Sequence, residues 1–476
     1  MSSERLAFSS GSTASDSAST DARAERQRDT RDKAHTHARS RKAAMSDGGY
    51  TGLLVFTALL LVRPQDQIPA LAPLHLAELS AIAAGVPMIW DRLSRGLSPL
   101  PMTRETVLLF AFGLVILATV PFSIWPGGSL SVFTDAYAKA LIIYLLMVST
   151  LTTTERLERF VWLILVCIGY VAVRGVLNYV RGINLVEDDR LAGPVSGIFG
   201  NPNDLALNMV TFLPVAVVVV MSKWYAPTRR VLAAFIALLM VAAVVFSKSR
   251  GGMIGLVVMF ASLQFLARKI SPRAGIAAVV ALVLVLPLAP SSFWDRMASI
   301  TNARQDQQEF TGSREARRIL IEEALNTFFA RPFTGVGAGQ FKNYNPPERQ
   351  VRWRETHNVV LQVAAETGVL GLMSFLGLIV CGAAGAARTK RWLTPPRRRS
   401  APDPVGEVFD PRERQVLYGH AVATAAGLIG WFTCALFASV AYSWTLYYLL
   451  GLIVSAREIV RTRLAVSRDT RKGAAA

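Results

Sequence analysis

The sequence has little charge and very little cysteine for its length. Of its 476 residues only 18% are charged, whereas 52% are hydrophobic, a balance that is unusual for a soluble globular protein. The three cysteines fall in apolar segments without the spacing of a metal or redox site, at Cys167, Cys381 and Cys434. We therefore exclude soluble folds and expect a membrane protein whose cysteines serve only in packing.

Motifs for metal and nucleotide binding are also missing. The segments expected outside the membrane contain no Asp-x-Asp or similar carboxylate cluster, and the acidic run at 187–189 is typical of a solvated turn. The glycine run at 335–339 lacks the preceding strand and the spacing of a dinucleotide-binding loop. Its glycines instead indicate a sharp turn or a close approach of the backbone to a ligand. We expect neither a metal ion nor any other cofactor.

What the sequence does contain is a series of apolar runs about as long as a bilayer core is thick. Spans are predicted at 50–62, 74–90, 105–125, 137–152, 157–180, 203–222, 229–247, 250–268, 273–290, 357–387, 416–439 and 441–461. This pattern predicts an all-α fold, a polytopic transmembrane bundle of about twelve helices.

The formal net charge of +18 is distributed unevenly along the chain. Arginine and lysine concentrate in every second loop and near the C-terminus, which is the positive-inside pattern and predicts that both termini are cytoplasmic. A basic balance is also the footprint of nucleic-acid binding, but the chain has no groove-entering module and no interleaving of aromatic and basic residues. We therefore expect membrane lipid as a partner and no nucleic acid.

Composition and topology together divide the chain into segments. Residues 1–48 are polar and predict a disordered, basic cytoplasmic tail rather than a cleavable signal peptide. The next segment, 49–290, is predicted to form a first transmembrane bundle. The remaining segments are a large external loop at 291–356, transmembrane helices at 357–462 around a basic cytoplasmic loop at 388–415, and a cytoplasmic tail at 463–476.

The external loop contains a predicted amphipathic helix from Arg314 to Phe329. Its apolar residues follow helical spacing, at Ile321, Leu325, Phe328 and Phe329. Arg318 lies four residues before Glu322 and is expected to form an exposed ion pair. Arg317 lies four residues before Ile321, so it heads the apolar stripe and is expected at the membrane interface, a plain surface arginine being the alternative.

Other cations also fall on the predicted external side. Arg181 and Arg190 precede the segment 197–203, whereas Lys248 and Arg250 lie between two spans. Cations at membrane depth usually mark a site or an ion pair. For Arg181 and Lys248, snorkelling at a helix end is equally open. Arg250 opens a helix, where a cation is unfavourable unless an anion also binds there.

His357 stands at the predicted start of a long apolar helix, after Thr356 as the expected N-cap. The positive end of the helix dipole would keep the imidazole neutral, so that it can accept a proton from a hydroxyl group. Asn358, Gln362 and Glu366 follow at four-residue spacing and share a face. We expect Glu366 to make a polar contact between packed helices rather than to orient His357.

Several stretches together resemble the O-antigen ligase and polymerase superfamily of bacterial membrane proteins. The resemblance covers about residues 190–380 and is carried by Gly-Ile-Phe-Gly-Asn-Pro-Asn-Asp-Leu-Ala, Ser-Lys-Ser-Arg-Gly-Gly, Arg317-x-x-x-Ile321-x-x-Ala324-Leu325, Arg-Pro-Phe-Thr-Gly-Val-Gly-Ala-Gly-Gln-Phe, and His357-Asn358 through Glu366-Thr-Gly-Val-Leu-Gly. The Arg63-Pro64-Gln-Asp stretch also looks like the ligase-like branch associated with exopolysaccharide and exosortase loci.

The resemblance implies a GT-C-like, metal-independent glycosyltransferase in the bacterial inner membrane, with its active site in the periplasm. The donor would be a glycan on undecaprenyl diphosphate, and the acceptor a hydroxyl of lipid A core, protein or another glycan. Arg250, Arg317 and His357 would be catalytic, the arginines binding the diphosphate and His357 activating the acceptor. Substrate-binding residues would be Arg314, Arg190, Asn203 and Asn358. The family often has Trp at the position of Ile321, and Arg314 competes with Arg317 for the role of the family arginine.

Three alternatives stay open at this stage. A polymerase that extends a polysaccharide repeat would share every motif. A polysaccharide transporter or flippase would also have about twelve spans and intramembrane cations, although the sequence has neither a clear internal repeat nor a set of midplane charges. An accessory scaffold of an export complex is the non-catalytic alternative.

Overall fold

The computed structural model describes residues 47–186, 189–195, 197–267, 287, 289, 291–298, 314–396 and 403–475. Helices dominate these residues, which confirms the predicted all-α class. The described residues also include one small hairpin, in which strands β1 (Leu185–Val186) and β2 (Arg190–Leu191) pair in antiparallel orientation. The predicted tail up to residue 46 and most of the predicted span at 273–290 lie outside the described residues.

The α-helices are numbered in chain order. They are α1 (Asp47–Val62), α2 (Pro64–Gln67), α3 (Leu76–Ser94), α4 (Arg104–Thr119), α5 (Pro126–Ser131), α6 (Ala138–Thr150), α7 (Thr154–Val180), α8 (Pro202–Met221), α9 (Pro227–Phe246), α10 (Arg250–Leu266), α11 (Ser291–Ala298), α12 (Arg314–Ala330), α13 (Val359–Leu393), α14 (Pro411–Ala435) and α15 (Trp444–Ala475). Short 3-10 segments lie at Pro69–Leu74, Val120–Phe122, Gly197–Phe199 and Phe341–Asn343, and a π-helical turn at Val132–Tyr137 leads into α6.

Within the described residues, eight helical stretches are long and apolar enough to cross a membrane, and α10 is a shorter apolar helix. Helices α1 and α15 coincide with two further predicted spans. The chain is therefore a multi-pass membrane protein. Exposed apolar side chains on its outer helices, such as Ile82 and Val86 of α3, suit contact with lipid.

Helices α8 and α14 form the centre of the bundle. In each of them 78% of the most apolar stretch is buried, compared with 17% in the stretch that contains α3. They pack on each other, and α9 and α10 close around them. The central pair matters for the site because α8 begins, and α14 ends, beside the residues that the sequence singles out.

The predicted start of the helix at His357 was wrong. Helix α13 begins at Val359 with Asn358 as its N-cap, so Thr356 is not the cap and His357 precedes the helix. The same helix is interrupted at Gly368, whose φ of 68° and ψ of −166° are not helical. Helices α13 and α15 also extend into the predicted cytoplasmic loop at 388–415 and the predicted tail at 463–476.

Candidate functional site

Three cationic side chains are buried together where α9 ends and α10 begins. Arg190, Lys248 and Arg250 are only 6%, 1% and 8% exposed. Arg190 comes from strand β2 and reaches this turn by donating a hydrogen bond from Nε to the backbone oxygen of Ser247, at 3.2 Å. Burial of Lys248 excludes snorkelling for this residue, whereas Arg181 is exposed at the end of α7. Buried cations favour a nearby anion, because burying positive charge is otherwise expensive.

Asn203 joins Arg190 to the start of α10. Its side-chain oxygen accepts hydrogen bonds from Arg190 Nη2 at 2.9 Å and from Ser249 Oγ at 2.8 Å. Ser249 is the N-cap of α10 and accepts a hydrogen bond from the Gly252 amide at 3.2 Å. Arg250 is the first residue of this helix, as predicted. The structure thus brings three predicted site residues, Arg190, Asn203 and Arg250, into one region.

The turn between α14 and α15 connects this region to His357. Phe437 packs against Gly251, next to Arg250. Two residues further on, the hydroxyl of Ser439 accepts a hydrogen bond from the backbone amide of His357 at 3.0 Å. Ser439 Oγ also bonds to Thr356 Oγ1 at 3.0 Å. One short turn therefore contacts both the start of α10 and the residue predicted to activate the acceptor.

His357 has a left-handed backbone conformation with φ of 49°. It adjoins the N-terminus of α13, but it does not belong to the first helical turn. Asn358 Oδ1 caps the helix by accepting hydrogen bonds from the amides of Val360 and Leu361, at 3.0 and 3.1 Å. Because this oxygen serves the cap, only the amide nitrogen of Asn358 would be left to contact a substrate.

Helix α12 is amphipathic, but its buried face differs from the predicted stripe. Leu320 and Ala324 are buried and pack with Val336, Phe341 and Ala365, whereas the predicted stripe residues Ile321, Leu325 and Phe329 are exposed. The expected pair of Arg318 and Glu322 is present at 3.2 Å, and Arg317 is half-buried beside it. Arg314 begins the helix, and its side chain lies outside the described residues.

The glycine run packs against the break in α13. Gly335, Gly337 and Gly339 have positive φ values, and the amides of Val336 and Gly337 donate to the backbone oxygens of Ala365 and Glu366, at 3.0 and 2.9 Å. A Cβ on Gly335 would lie 2.3 Å from the backbone carbon of Glu366. The predicted sharp turn is present, and the backbone here closely approaches the backbone of α13 rather than a ligand.

Glu366 fastens this loop to the bundle. Its carboxylate accepts hydrogen bonds from the amides of Gly339 and Phe341 at 2.9 and 3.4 Å, and from the Tyr442 hydroxyl at 2.9 Å. The predicted polar contact exists, but its partners are a loop backbone and a residue before α15 rather than a neighbouring helix. Gln362, on the same face, accepts from the amide of Ala441 at 3.1 Å.

A cavity of about 380 Å³ opens between these elements. Its charged lining residues are Arg63, Asp204, Lys342, Glu355 and Glu366. The remaining lining residues are Val132, Ala136, Gly197, Gly339, Gln362, Ser439, Val440, Tyr442, Ser443 and Trp444. The cavity is therefore bounded by the beginning of α8, by the glycine loop, by α13 and by the turn before α15.

None of the seven predicted site residues is among the described residues that line this cavity. Two of them adjoin it, because Asn203 precedes the lining residue Asp204 and His357 is hydrogen-bonded to the lining residue Ser439. Sequence reasoning missed Asp204 and Glu355 as site candidates, although both stand within stretches that it had singled out. Lys342 has no comparable signal in the sequence.

The charges in the cavity largely face one another. Arg63 donates to both carboxylate oxygens of Asp66, at 2.8 and 3.2 Å, and the Lys342 ammonium lies 3.9 Å from Glu355. The surrounding protein raises the pKa of the Glu355 carboxyl by desolvation, and Lys342 partly opposes this. Among the described residues no group of three His, Cys, Asp or Glu side chains could hold a metal ion.

A larger cavity, of about 680 Å³, lies near the other end of α13 and is lined mainly by apolar residues of α13 and α14. It includes Lys390, which is roughly 45 Å along an ideal helix from Val359. Its apolar lining suits lipid tails better than polar chemistry. The smaller cavity is the better candidate because it has polar groups and adjoins His357.

The fold and the cavity define a multi-pass membrane protein with a polar site between its helices and a loop. Residues 235–376 match the family model described as O-antigen ligase. This match confirms the resemblance to the O-antigen ligase superfamily, and it includes Arg250, Arg317 and His357. A comparison with curated proteins found no match.

Proposed function

We propose that this protein transfers a glycan from undecaprenyl diphosphate to an acceptor hydroxyl at the periplasmic face of a bacterial inner membrane. The family match supports glycosyl transfer of the ligase or polymerase type. The observation that carries the finer proposal is the turn at 436–443, which contacts the start of α10 beside Arg250 and the backbone of His357.

The diphosphate of the donor binds to arginines in this proposal. Arg190 and Arg250 are both buried where α9 ends and α10 begins, and guanidinium groups remain charged and donate in the planar geometry that phosphate oxygens accept. Arg317 lies on α12, which packs on the first turns of α13. As the glycosidic bond breaks, negative charge grows on the diphosphate, and nearby guanidinium groups stabilise that charge.

His357 serves as the base. Its imidazole takes the proton of the acceptor hydroxyl, and the acceptor oxygen forms a bond to the anomeric carbon of the donor sugar. The bond between that carbon and the phosphate oxygen breaks, and undecaprenyl diphosphate leaves with the electron pair. This step needs no metal ion or nucleotide sugar.

The test uses the full chain in lipid nanodiscs with an undecaprenyl-diphosphate glycan and lipid A core as acceptor. His357→Asn and Arg317→Ala should each lower transfer about 100-fold or more. Asparagine tolerates the left-handed conformation of His357, so a loss of activity cannot be attributed to the backbone. Matched controls are His75→Asn, at an exposed left-handed histidine, and Arg318→Ala, at the exposed neighbour of Arg317.

Undiminished transfer in either site variant would refute the assigned roles.

A deletion strain separates the two family activities. Long chains that accumulate on the lipid carrier indicate a ligase, whereas core that retains a single glycan unit indicates a polymerase. Movement of the lipid-linked glycan without any change in its covalent linkage would instead support a flippase.

A further inference from the structure

We infer that the cavity of about 380 Å³ beside Ser439 is the acceptor subsite and that it takes an uncharged, hydroxyl-rich group such as a neutral sugar. The inference rests on the proposed function and deepens it by naming the acceptor class. Four features support it: the charge of the lining, an amide donor with no partner among the described residues, the mixture of polar and aromatic walls, and the position of the cavity.

The charges that line this cavity do not favour the donor's diphosphate. Three carboxylate residues line it, Asp204, Glu355 and Glu366, against two cations. Each cation already faces a carboxylate, since Arg63 is bonded to Asp66 and the Lys342 ammonium lies 3.9 Å from Glu355. A diphosphate entering here would therefore meet, among the described lining residues, only cations that already face a carboxylate. The donor headgroup is better placed at Arg190 and Arg250, outside the lining.

Gln362 offers a hydrogen-bond donor to an occupant of the cavity. Its side chain is only 6% exposed and lines the cavity. The side-chain oxygen accepts a hydrogen bond from the amide of Ala441, and no described residue accepts one from the nitrogen. A hydroxyl oxygen of an occupant would satisfy this donor, whereas a cation would not.

The remaining lining suits a sugar. Sugar hydroxyls both donate and accept hydrogen bonds, so they can pair with the carboxylates of Asp204 and Glu355 and with the hydroxyls of Ser439 and Ser443. Trp444 supplies an apolar aromatic surface that can cover the carbon face of a pyranose ring. The volume lies within the range of small-molecule sites.

The position of the cavity matches the geometry that transfer requires. On one wall, Asp204 follows Asn203, which is bonded to Arg190. On another wall, Ser439 is bonded to the backbone of His357. An acceptor in the cavity therefore lies between the region proposed for the diphosphate and the residue proposed as base, where its hydroxyl can approach the donor sugar.

The inference is tested by binding, separately from transfer. Isothermal titration of the full chain in nanodiscs uses glucose, galactose, mannose and rhamnose as neutral probes, glucuronate as a charged probe, and pyrophosphate as the donor-headgroup probe. At least one neutral sugar should bind. Glucuronate should bind at least 10-fold more weakly than glucose if glucose binds, and pyrophosphate should not compete with the sugar.

Variants separate the two subsites. Glu355→Gln and Asp204→Asn should weaken sugar binding at least 10-fold and leave pyrophosphate binding unchanged, whereas Arg250→Ala should do the opposite. The matched control is Glu348→Gln, an exposed carboxylate in the same loop. Absence of binding by every neutral sugar, competition by pyrophosphate, or unchanged sugar affinity in both Glu355→Gln and Asp204→Asn would overturn the assignment.

Failure of the proposed function has a different signature. If wild-type protein binds a neutral sugar through Glu355 but transfers nothing, the glycosyltransferase proposal fails and the cavity remains a sugar site. If transfer proceeds while sugar affinity is unchanged in Glu355→Gln and Asp204→Asn, the proposed function stands and the acceptor subsite lies elsewhere.

Discussion

Arg190 Nη2 donates a hydrogen bond to Asn203 Oδ1 at 2.9 Å, and this contact ties the hairpin before α8 to the start of α10. The same oxygen accepts from Ser249 at 2.8 Å, so one asparagine orients a buried arginine and the N-cap that precedes Arg250. Because two donors share this one hydrogen-bond acceptor, replacing Asn203 alone should disturb the whole cationic region.

Replacing Asn203 should therefore disturb both partners. Asn203→Ala leaves the Arg190 and Ser249 donors without their shared acceptor, which should lower the free energy of unfolding by about 1–3 kcal/mol and reduce transfer. Asn203→Asp keeps an oxygen that accepts hydrogen bonds, so this variant should retain more of the stability and more of the transfer activity than Asn203→Ala. Thermal unfolding in nanodiscs and pyrophosphate titration provide the measurements, and equal pyrophosphate affinity in Asn203→Ala and wild type would contradict this role for Asn203.

Glu366 should be essential for anchoring the glycine loop. Glu366→Ala leaves the amides of Gly339 and Phe341 without an acceptor, at about 1–3 kcal/mol each, whereas Tyr442→Phe removes only one hydrogen bond from the same carboxylate. We expect trypsin to cleave after Lys342 faster in Glu366→Ala than in Tyr442→Phe or wild type. Equal cleavage rates in all three proteins would show that the loop is held by other contacts.

Gly335 should tolerate no side chain. Its φ is 61°, and an added Cβ would lie 2.3 Å from the Glu366 backbone carbon, so Gly335→Ala should destabilise by about 2–4 kcal/mol through strain and overpacking. Gly85→Ala is the control, because nothing lies within 4 Å of a Cβ there and helix α3 should gain about 0.5–1 kcal/mol. Similar melting temperatures for the two variants would refute the close approach.

Sugar binding should weaken at acidic pH because of Glu355. Desolvation raises the pKa of this carboxyl, and the positive charge of Lys342 opposes the rise. The other charged residues that line the cavity are Arg63, Asp204 and Glu366. Protonation removes a charged hydrogen-bond acceptor. As the pH is lowered, sugar affinity should therefore begin to fall while the pH is still above about 4.3, the ordinary pKa of a glutamate carboxyl. Glu355→Gln should flatten this acidic limb, and an unchanged limb would exclude Glu355 as its source.

The raised pKa of Glu355 also predicts how the stability of the protein changes with pH. A carboxyl whose pKa is raised on folding contributes stability below its unfolded pKa, and that contribution is lost as pH rises through the folded pKa. Glu355→Gln should therefore raise the melting temperature relative to wild type at about pH 8 but not at about pH 4. The gain should be small, because Glu355 and Lys342 are each about half exposed.

Local patterns predicted two local features of the site correctly. The pair of Arg318 and Glu322 follows from four-residue spacing on a helix, and the start of α10 at Arg250 follows from the serine before it and the apolar run after it. The buried face of α12 could not be predicted in this way. Its burial depends on Val336, Phe341 and Ala365, which are distant in sequence and leave Ile321 on the outside.

The sequence by itself determined that this is an all-α, multi-pass membrane protein that resembles the O-antigen ligase superfamily. Bilayer thickness sets the length of apolar runs, and motifs keep their order along a chain whatever the packing. Only the tertiary structure decided that α13 begins after His357, that Asn203 holds Arg190, and that Asp204, Gln362 and Glu355 share a cavity. Those features depend on which distant segments meet, and local periodicity carries no information about such long-range contacts.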